Sequence, residues 1–281
     1  MPKSIVQLQN LTCLRINNLE LPEEIGNLHA LQELSVIKIN QNSSASSLLG
    51  LGSLINLRIL GLCWCIVNTR PDSKAFVDNL LSSLRKLGRV NLRCLYIQSY
   101  YGYSIEFLLD SWFPIPHLLQ TFAMGMEYYF PRIPFWIASL DNLTYLDINI
   151  DPLGQKALDV LGNLPSLLYL WVTSKATACK EKLIISTSMF LCLKEFHFTC
   201  WSSGVHLMFE AGAMMKLEKL RIPYASADLY FGFQHLSSLK HLVAEINCSG
   251  VTAQEVQALE ESIRSAIDLL PNRPTLEVQT W

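Results

Sequence analysis

Apolar residues recur along this chain in one pattern: three leucine-type positions three apart, then a fourth two residues later. The pattern is clean at Leu8/Leu11/Leu14/Ile16, Leu28/Leu31/Leu34/Val36 and Leu54/Leu57/Leu60/Leu62. It returns at Leu140/Leu143/Leu146/Ile148, Leu164/Leu167/Leu170/Val172 and Met214/Leu217/Leu220/Ile222. Weaker copies fill the intervals: Arg89/Leu92/Leu95/Ile97, Pro116/Leu119/Phe122/Met124, Phe190/Leu193/Phe196/Phe198, Leu236/Leu239/Leu242/Ala244 and Leu270/Arg273/Leu276/Val278. First positions are spaced by 20, 26, 35, 27, 24, 24, 26, 24, 22 and 34 residues. Self-similarity at such a period marks a stacked repeat, in which no copy can bury its apolar face alone.

The phrase and its period are those of a leucine-rich repeat. The last two apolar positions of each phrase, such as Leu146 and Ile148, lie two apart and so share one face of a short strand. The predicted fold class is α/β: a leucine-rich repeat solenoid with a curved parallel sheet on the concave side and irregular loops and a few helices on the convex side. The phrases run from residue 8 to 278, so residues 1–281 read as a single domain of about eleven repeats.

The two long intervals predict helices on the convex side. Asp72 stands as N-cap to Phe76, Leu80, Leu84 and Leu87, with Gly88 as the stop. Thr252-Ala253-Gln254-Glu255 has the form of a capping box and leads into Val256, Leu259, Ile263 and Ile267. The polar stretch Gln41–Ser47 predicts an exposed loop. At the sharp turn after each strand such repeats favour Asn or Cys. Cys65 and Asn247 supply it and Asp151 imitates it, whereas Leu19, Tyr100 and Trp201 do not.

Residues between the inward positions point outward and form columns on the concave face. The middle column includes Tyr96, Asp147, Trp171, His197 and Arg221; the flanking column includes Tyr145, Tyr169, Glu195, Lys219 and His241. Aromatic rings beside arginine are the residue types that dominate protein–protein binding. These ten residues are the predicted partner-binding surface, with Tyr145, Tyr169 and Trp171 at its centre and Lys219 and Arg221 steering an acidic partner.

Composition narrows the function. Half the residues are hydrophobic and 16% are charged, which suits a long core and excludes a disordered chain. The net charge of −2 and scattered basic residues carry no nucleic-acid footprint, and no apolar run is long enough to span a membrane. The chain enters its first repeat almost at once, without a polar cap, which predicts the C-terminal part of a longer protein. Eight cysteines spread through a large core predict reduced thiols and a cytoplasmic setting. Four Asn-x-(Ser/Thr) sequons, at Asn10, Asn42, Asn142 and Asn247, point the other way, but no export signal accompanies them.

Catalytic and metal chemistry find little support. Cys192, His197, Cys200 and His206 cluster, but their spacing matches no zinc pattern; His197 should face the concave side, while Cys192 sits before the strand. Cys63-Trp64-Cys65 is not a redox motif; Cys63 should point outward and Cys65 into the turn. No nucleophile elbow or paired carboxylates stand out. The chain is expected to be no enzyme and to bind no cofactor or metal.

Leu21-Pro22-Glu23-Glu24-Ile25-Gly26-Asn27-Leu28 followed by Leu31-Gln32-Glu33-Leu34 resembles the leucine-rich repeat region of plant intracellular nucleotide-binding immune receptors. Ile133-Pro134-Phe135-Trp136-Ile137 through Leu143 is a second copy. Leu108-Leu109-Asp110-Ser111-Trp112 and the terminal Leu270-Pro271-Asn272-Arg273-Pro274-Thr275-Leu276 are similar to the grass, coiled-coil-bearing branch. No Gly-x-x-x-x-Gly-Lys-(Ser/Thr) phosphate loop occurs, so that family's switching machinery is absent or lies upstream. The resemblance implies a pathogen-recognition and autoinhibition module. Its partner would be a pathogen effector, a guarded host protein or the nucleotide-binding domain of the parent receptor. The alternatives are a stand-alone scaffold for signalling proteins and the substrate-recognition arm of a ubiquitin ligase.

Overall fold

The computed structural model describes residues 3–66, 73–99, 103–125, 127–175, 182–200, 206–223, 230–246, 248, 252–268, 270 and 272–280. The chain divides into two units, residues 1–145 and 146–281. Each of the eleven phrases carries a parallel strand.

In the first unit these are β1 (Cys13–Glu20), β2 (Glu33–Ile39), β3 (Ile59–Trp64), β4 (Cys94–Ser99) and β5 (Thr121–Met124), paired in chain order. Leu34, Leu60, Leu95 and Phe122 stand in register across β2 to β5 and are fully buried. Burying a side chain of this size stabilises the fold by about 1.5–3 kcal/mol. In β2 the second inward residue is Ile37, not the predicted Val36. Val36 takes a left-handed φ of 44°, the register shifts there, and Ile37 pairs with Leu62. Gly61 faces this bulge; a Cβ at 61 would lie 2.6 Å from the Val36 amide nitrogen, so only glycine fits.

Behind the strands run α1 (Ala45–Leu51), α2 (Ser73–Val90) and α3 (Leu108–Ser111). The loop predicted over Gln41–Ser47 is in part α1. Ser44 is its N-cap, accepting the Ser47 amide at 3.1 Å, and Leu48 and Leu51 are buried. The predicted α2 is present, but it runs through Gly88 to Val90. Gly88 serves close packing instead, since a Cβ there would meet Pro116 at 3.0 Å. Asp72, the predicted cap, lies outside the described residues. Two indoles tie the elements together: Trp112 Nε1 donates to the Leu84 carbonyl at 3.3 Å and Trp136 Nε1 to the Leu108 carbonyl at 2.6 Å.

The second unit continues from β6 (Tyr145–Asn149), with α4 (Gln155–Gly162), β7 (Tyr169–Ser174), β8 (Lys182–Ile185), β9 (Glu195–Cys200), β10 (His206–Phe209), β11 (Lys219–Pro223), β12 (Tyr230–Phe231), β13 (His241–Ile246), α5 (Ala253–Asp268) and β14 (Thr275–Thr280). Strands β7, β9, β11, β13 and β14 pair in that order. A second parallel sheet, β12-β10-β8, was not predicted. The Gln155 side chain imitates a fourth strand at its edge: its amide donates to the Ile184 carbonyl at 2.9 Å and accepts the Ile184 amide at 2.8 Å. The capping box of α5 forms as predicted, with the Thr252 amide donating to Glu255 at 2.8 Å and the Glu255 amide to Thr252 Oγ1 at 3.3 Å. In the last phrase Arg273 is exposed and Pro274 takes the buried place.

An asparagine ladder stitches repeats together. The residue before the second leucine donates its side-chain amide one repeat back: Asn56 to His29, Asn91 to Ile55 and Asn142 to His117, each at 2.8 Å. The predicted turn cysteine Cys65 is buried with Cys63, their sulfurs 3.6 Å apart. Cys63 stands in the outward column as predicted, in register between Lys38 and Gln98, but it is covered and not exposed. No disulfide joins the seven described cysteines, and Cys179 lies outside the described residues. Thiol labelling under denaturing, non-reducing conditions should modify all eight; two or more disulfides would count against a reducing setting.

Candidate functional surface on the open face of the strands

The predicted columns form within each unit. In the first, Cys13, Glu33, Ile59, Cys94 and Thr121 stand in register, and Tyr96 sits between Gly61 and Ala123. Tyr96 is 41% exposed, and Tyr145 ends this unit half-buried. At the other edge Arg15 Nε donates to Glu33 at 2.7 Å. With that bond leading, the Glu33 carboxyl falls to about 2.

The second unit assembles eight of the ten predicted residues. Tyr169, Glu195, Lys219 and His241 stand side by side, as do Trp171, His197 and Arg221. The Ile150 amide donates to the Thr173 carbonyl at 2.8 Å, which sets Asp147 of β6 beside Trp171 of β7. His197 is the hub of the cluster. Its Nδ1 meets the Tyr169 hydroxyl at 3.1 Å, and the rings of Tyr169 and Trp171 lie 5.0 and 5.3 Å from its own. Trp171 Nε1 donates to Thr199 Oγ1 at 3.3 Å, which fixes the indole.

His197 is only 7% exposed. It lies on the outward side as predicted, but beneath its neighbours and not at the surface. Burial first, then the charges of Lys219 and Arg221, hold its pKa down to about 4. The Glu195 carboxylate, 3.6 Å from Nε2, does not offset them. The ring is therefore neutral at pH 7, one nitrogen carrying a hydrogen and the other a lone pair, and Nδ1 shares a hydrogen bond with the Tyr169 hydroxyl. Asp147 moves the opposite way: burial lifts its carboxyl to about 7.

The predicted basic pair is not free. Arg221 Nε donates to Glu245 at 2.6 Å, and its terminal nitrogen to Gln279 at 2.6 Å. Lys219 lies 3.9 Å from Glu195. His241 Nδ1 meets Thr275 Oγ1 at 2.6 Å, beside a cavity of about 240 Å³ lined by Lys219, Val243 and Glu277. Sequence reasoning missed Thr199, Glu245 and Gln279. All three occupy a third outward column, in register with one another or with their neighbours, which strand alternation could have supplied. Among the described residues no three potential ligands gather to hold a metal ion, and no helix is long and apolar enough to cross a membrane.

What this arrangement offers is a tiled, half-buried aromatic and charged surface. The profile of the family described as "Leucine-rich repeat region" matches residues 1–276. The rice (Oryza sativa subsp. japonica) "Disease resistance protein PIK6-NP" is 25% identical over 257 residues, 84% of this chain and 24% of that protein. "Disease resistance protein Pik-2" of the same organism is 25% identical over 240 residues, 79% of this chain and 23% of that protein. The chain thus spans about a quarter of the length of the curated relatives it matches. With one strand per phrase and a matching profile over nearly its whole length, the chain belongs to the leucine-rich repeat family.

Proposed function

We propose that residues 1–281 act as one leucine-rich repeat domain, the interaction module of a cytoplasmic plant immune receptor. In this reading it recognises a pathogen effector or a guarded host protein, and at rest holds the receptor's nucleotide-binding domain inactive. It works by binding, not by catalysis. The similarity to rice disease resistance proteins supports the setting. The observation that carries the surface is the cluster of Tyr169, Trp171, Glu195, His197, Lys219 and Arg221 on one face of β7, β9 and β11, with Asp147 and His241 beside it; within the first unit Tyr96 and Tyr145 are the residues proposed to bind. Preorganised rings bind at little rotamer cost, and a partner that differs in affinity for two receptor states shifts their populations.

Trp171→Ala is the test. It should weaken partner binding by about 2 kcal/mol or more, as a central aromatic does. In the full-length receptor it should release resting-state inhibition. The cost in folding should be about 1 kcal/mol, since the indole is half-buried and gives up one side-chain hydrogen bond. Thermal melting beside the affinity for the receptor's nucleotide-binding domain separates the two. A variant that melts far below the parent, yet binds normally when folded, would assign the ring to the core.

A further inference from the structure

The rim of the second unit, below the strands, concentrates charge that the linear sequence disperses. A groove of about 620 Å³ is lined by Lys194, Lys216, Lys240 and Arg273, with Glu218 as its single carboxylate. That is an excess of three positive charges in a chain whose net charge is −2. The repeat builds it. Lys194, Glu218 and Lys240 are the residues immediately before β9, β11 and β13, joined by Glu218 N to Lys194 O and Lys240 N to Glu218 O bonds of 2.8 Å. Arg273 is brought to the groove by its neighbour Asn272, whose amide donates to the Leu236 carbonyl at 3.1 Å.

These charges have little to neutralise them. Glu218 accepts from Lys240 at 2.8 Å, but both side chains are largely exposed, and such pairs stabilise little. Lys216 Nζ reaches only the Cys192 sulfur, 3.7 Å away. Among the described residues no carboxylate is in direct contact with the Lys194, Lys216 or Arg273 charge; Glu218, its carboxyl lowered first by the Lys240 hydrogen bond, also feels Lys194. Glu218, between Lys194 and Lys240 in the row, offsets one of the four cations and leaves the groove positive. Exposed Met215 adds an apolar stretch to the lining.

We propose that this groove is a docking site for an acidic, extended peptide segment of a partner protein. The row from Lys194 to Lys240 crosses two strand spacings, about 10 Å. An extended segment with carboxylates on alternate residues, about 7 Å apart, lays two of them along it. The lysines are point charges suited to carboxylates, and Arg273 can grip one with two parallel hydrogen bonds. The site is distinct from the open face of the strands and does not depend on the function proposed for that face.

The test uses the 281-residue chain and a fluorescein-labelled peptide of alternating glutamate and serine, followed by anisotropy at low and moderate salt. Binding should saturate at one site and weaken with salt. Lys194→Glu with Arg273→Glu should reduce affinity at least about tenfold, as close opposite charges at an interface do. Lys74→Glu with Lys86→Glu, outside the groove lining, makes the same change in net charge and should alter affinity less than about twofold at moderate salt. Trp171→Ala should leave the peptide affinity unchanged, which separates this site from the open face. Equal losses in both charge-reversed variants would reduce the effect to general electrostatics and overturn the proposal. So would tighter binding of inorganic polyphosphate or a single-stranded oligonucleotide than of the peptide. Unchanged circular dichroism in the variants guards against misfolding.

Discussion

Trp136→Ala will lower the stability of the first unit by about 4 kcal/mol, the usual range for emptying a fully buried tryptophan site. The indole is 0% exposed. It packs edge-on against Trp112 at 4.9 Å and Phe122 at 5.2 Å. Its N–H also satisfies the Leu108 carbonyl, which alanine would leave buried and unpaired. The lost apolar area, the cavity and the orphaned carbonyl act in the same direction. Urea unfolding followed by far-UV circular dichroism should show an earlier transition, because each repeat leans on its neighbours. A change below about 1 kcal/mol would mean that the surrounding turns collapse into the space, contrary to the close packing of the cluster.

Asp147→Asn will stabilise the second unit at pH 8 by about 3 kcal/mol, after a discount for partial exposure. The folded carboxyl titrates at about 7, against about 3.9 in an unfolded chain. Between these values the folded state holds a proton that the unfolded state has released, so stability falls as pH rises from about 4 to 7. Above 7 the whole penalty is present, and an uncharged amide removes it. His197 has the opposite slope. Its folded pKa of about 4 lies below the unfolded value of about 6.5, so the unfolded state carries the extra proton and stability rises with pH over that window. From about pH 4 to 6.5 the two slopes oppose, and the parent's stability should vary little. Asp147→Asn uncovers the histidine slope, and the variant should lose about 3 kcal/mol between pH 6.5 and 4. Denaturant midpoints from pH 4 to 8 measure both effects. A variant less stable than its parent at pH 8 would show that the carboxylate is favourably held.

Much of the architecture was written in local spacing. The strand phrases, α2, α5 and its capping box all depend on residues within one or two turns of each other. Two signals were present and unread. Asn56, Asn91 and Asn142 precede the second leucine of their phrases and form the ladder. Leu183–Ile185 and Leu207–Phe209 are short apolar runs 24 residues apart and form the second sheet.

The candidate surface was only half readable. Strand alternation determined which residues share the open face, because a period of two is a property of the extended backbone. What those residues do there was decided by neighbours one or more repeats away in sequence. Glu245 and Gln279 occupy Arg221, Tyr169 and Trp171 cover His197, and the bulge at Val36 hands its inward place to Ile37. The basic groove likewise draws its four cations from positions up to 79 residues apart, Lys194 to Arg273. By itself the sequence determined the repeat, the strand faces and the helices α2 and α5, which are set by short-range periodicity. Charge pairing, burial and register depend on which repeats stack against which, and only the tertiary structure decided them.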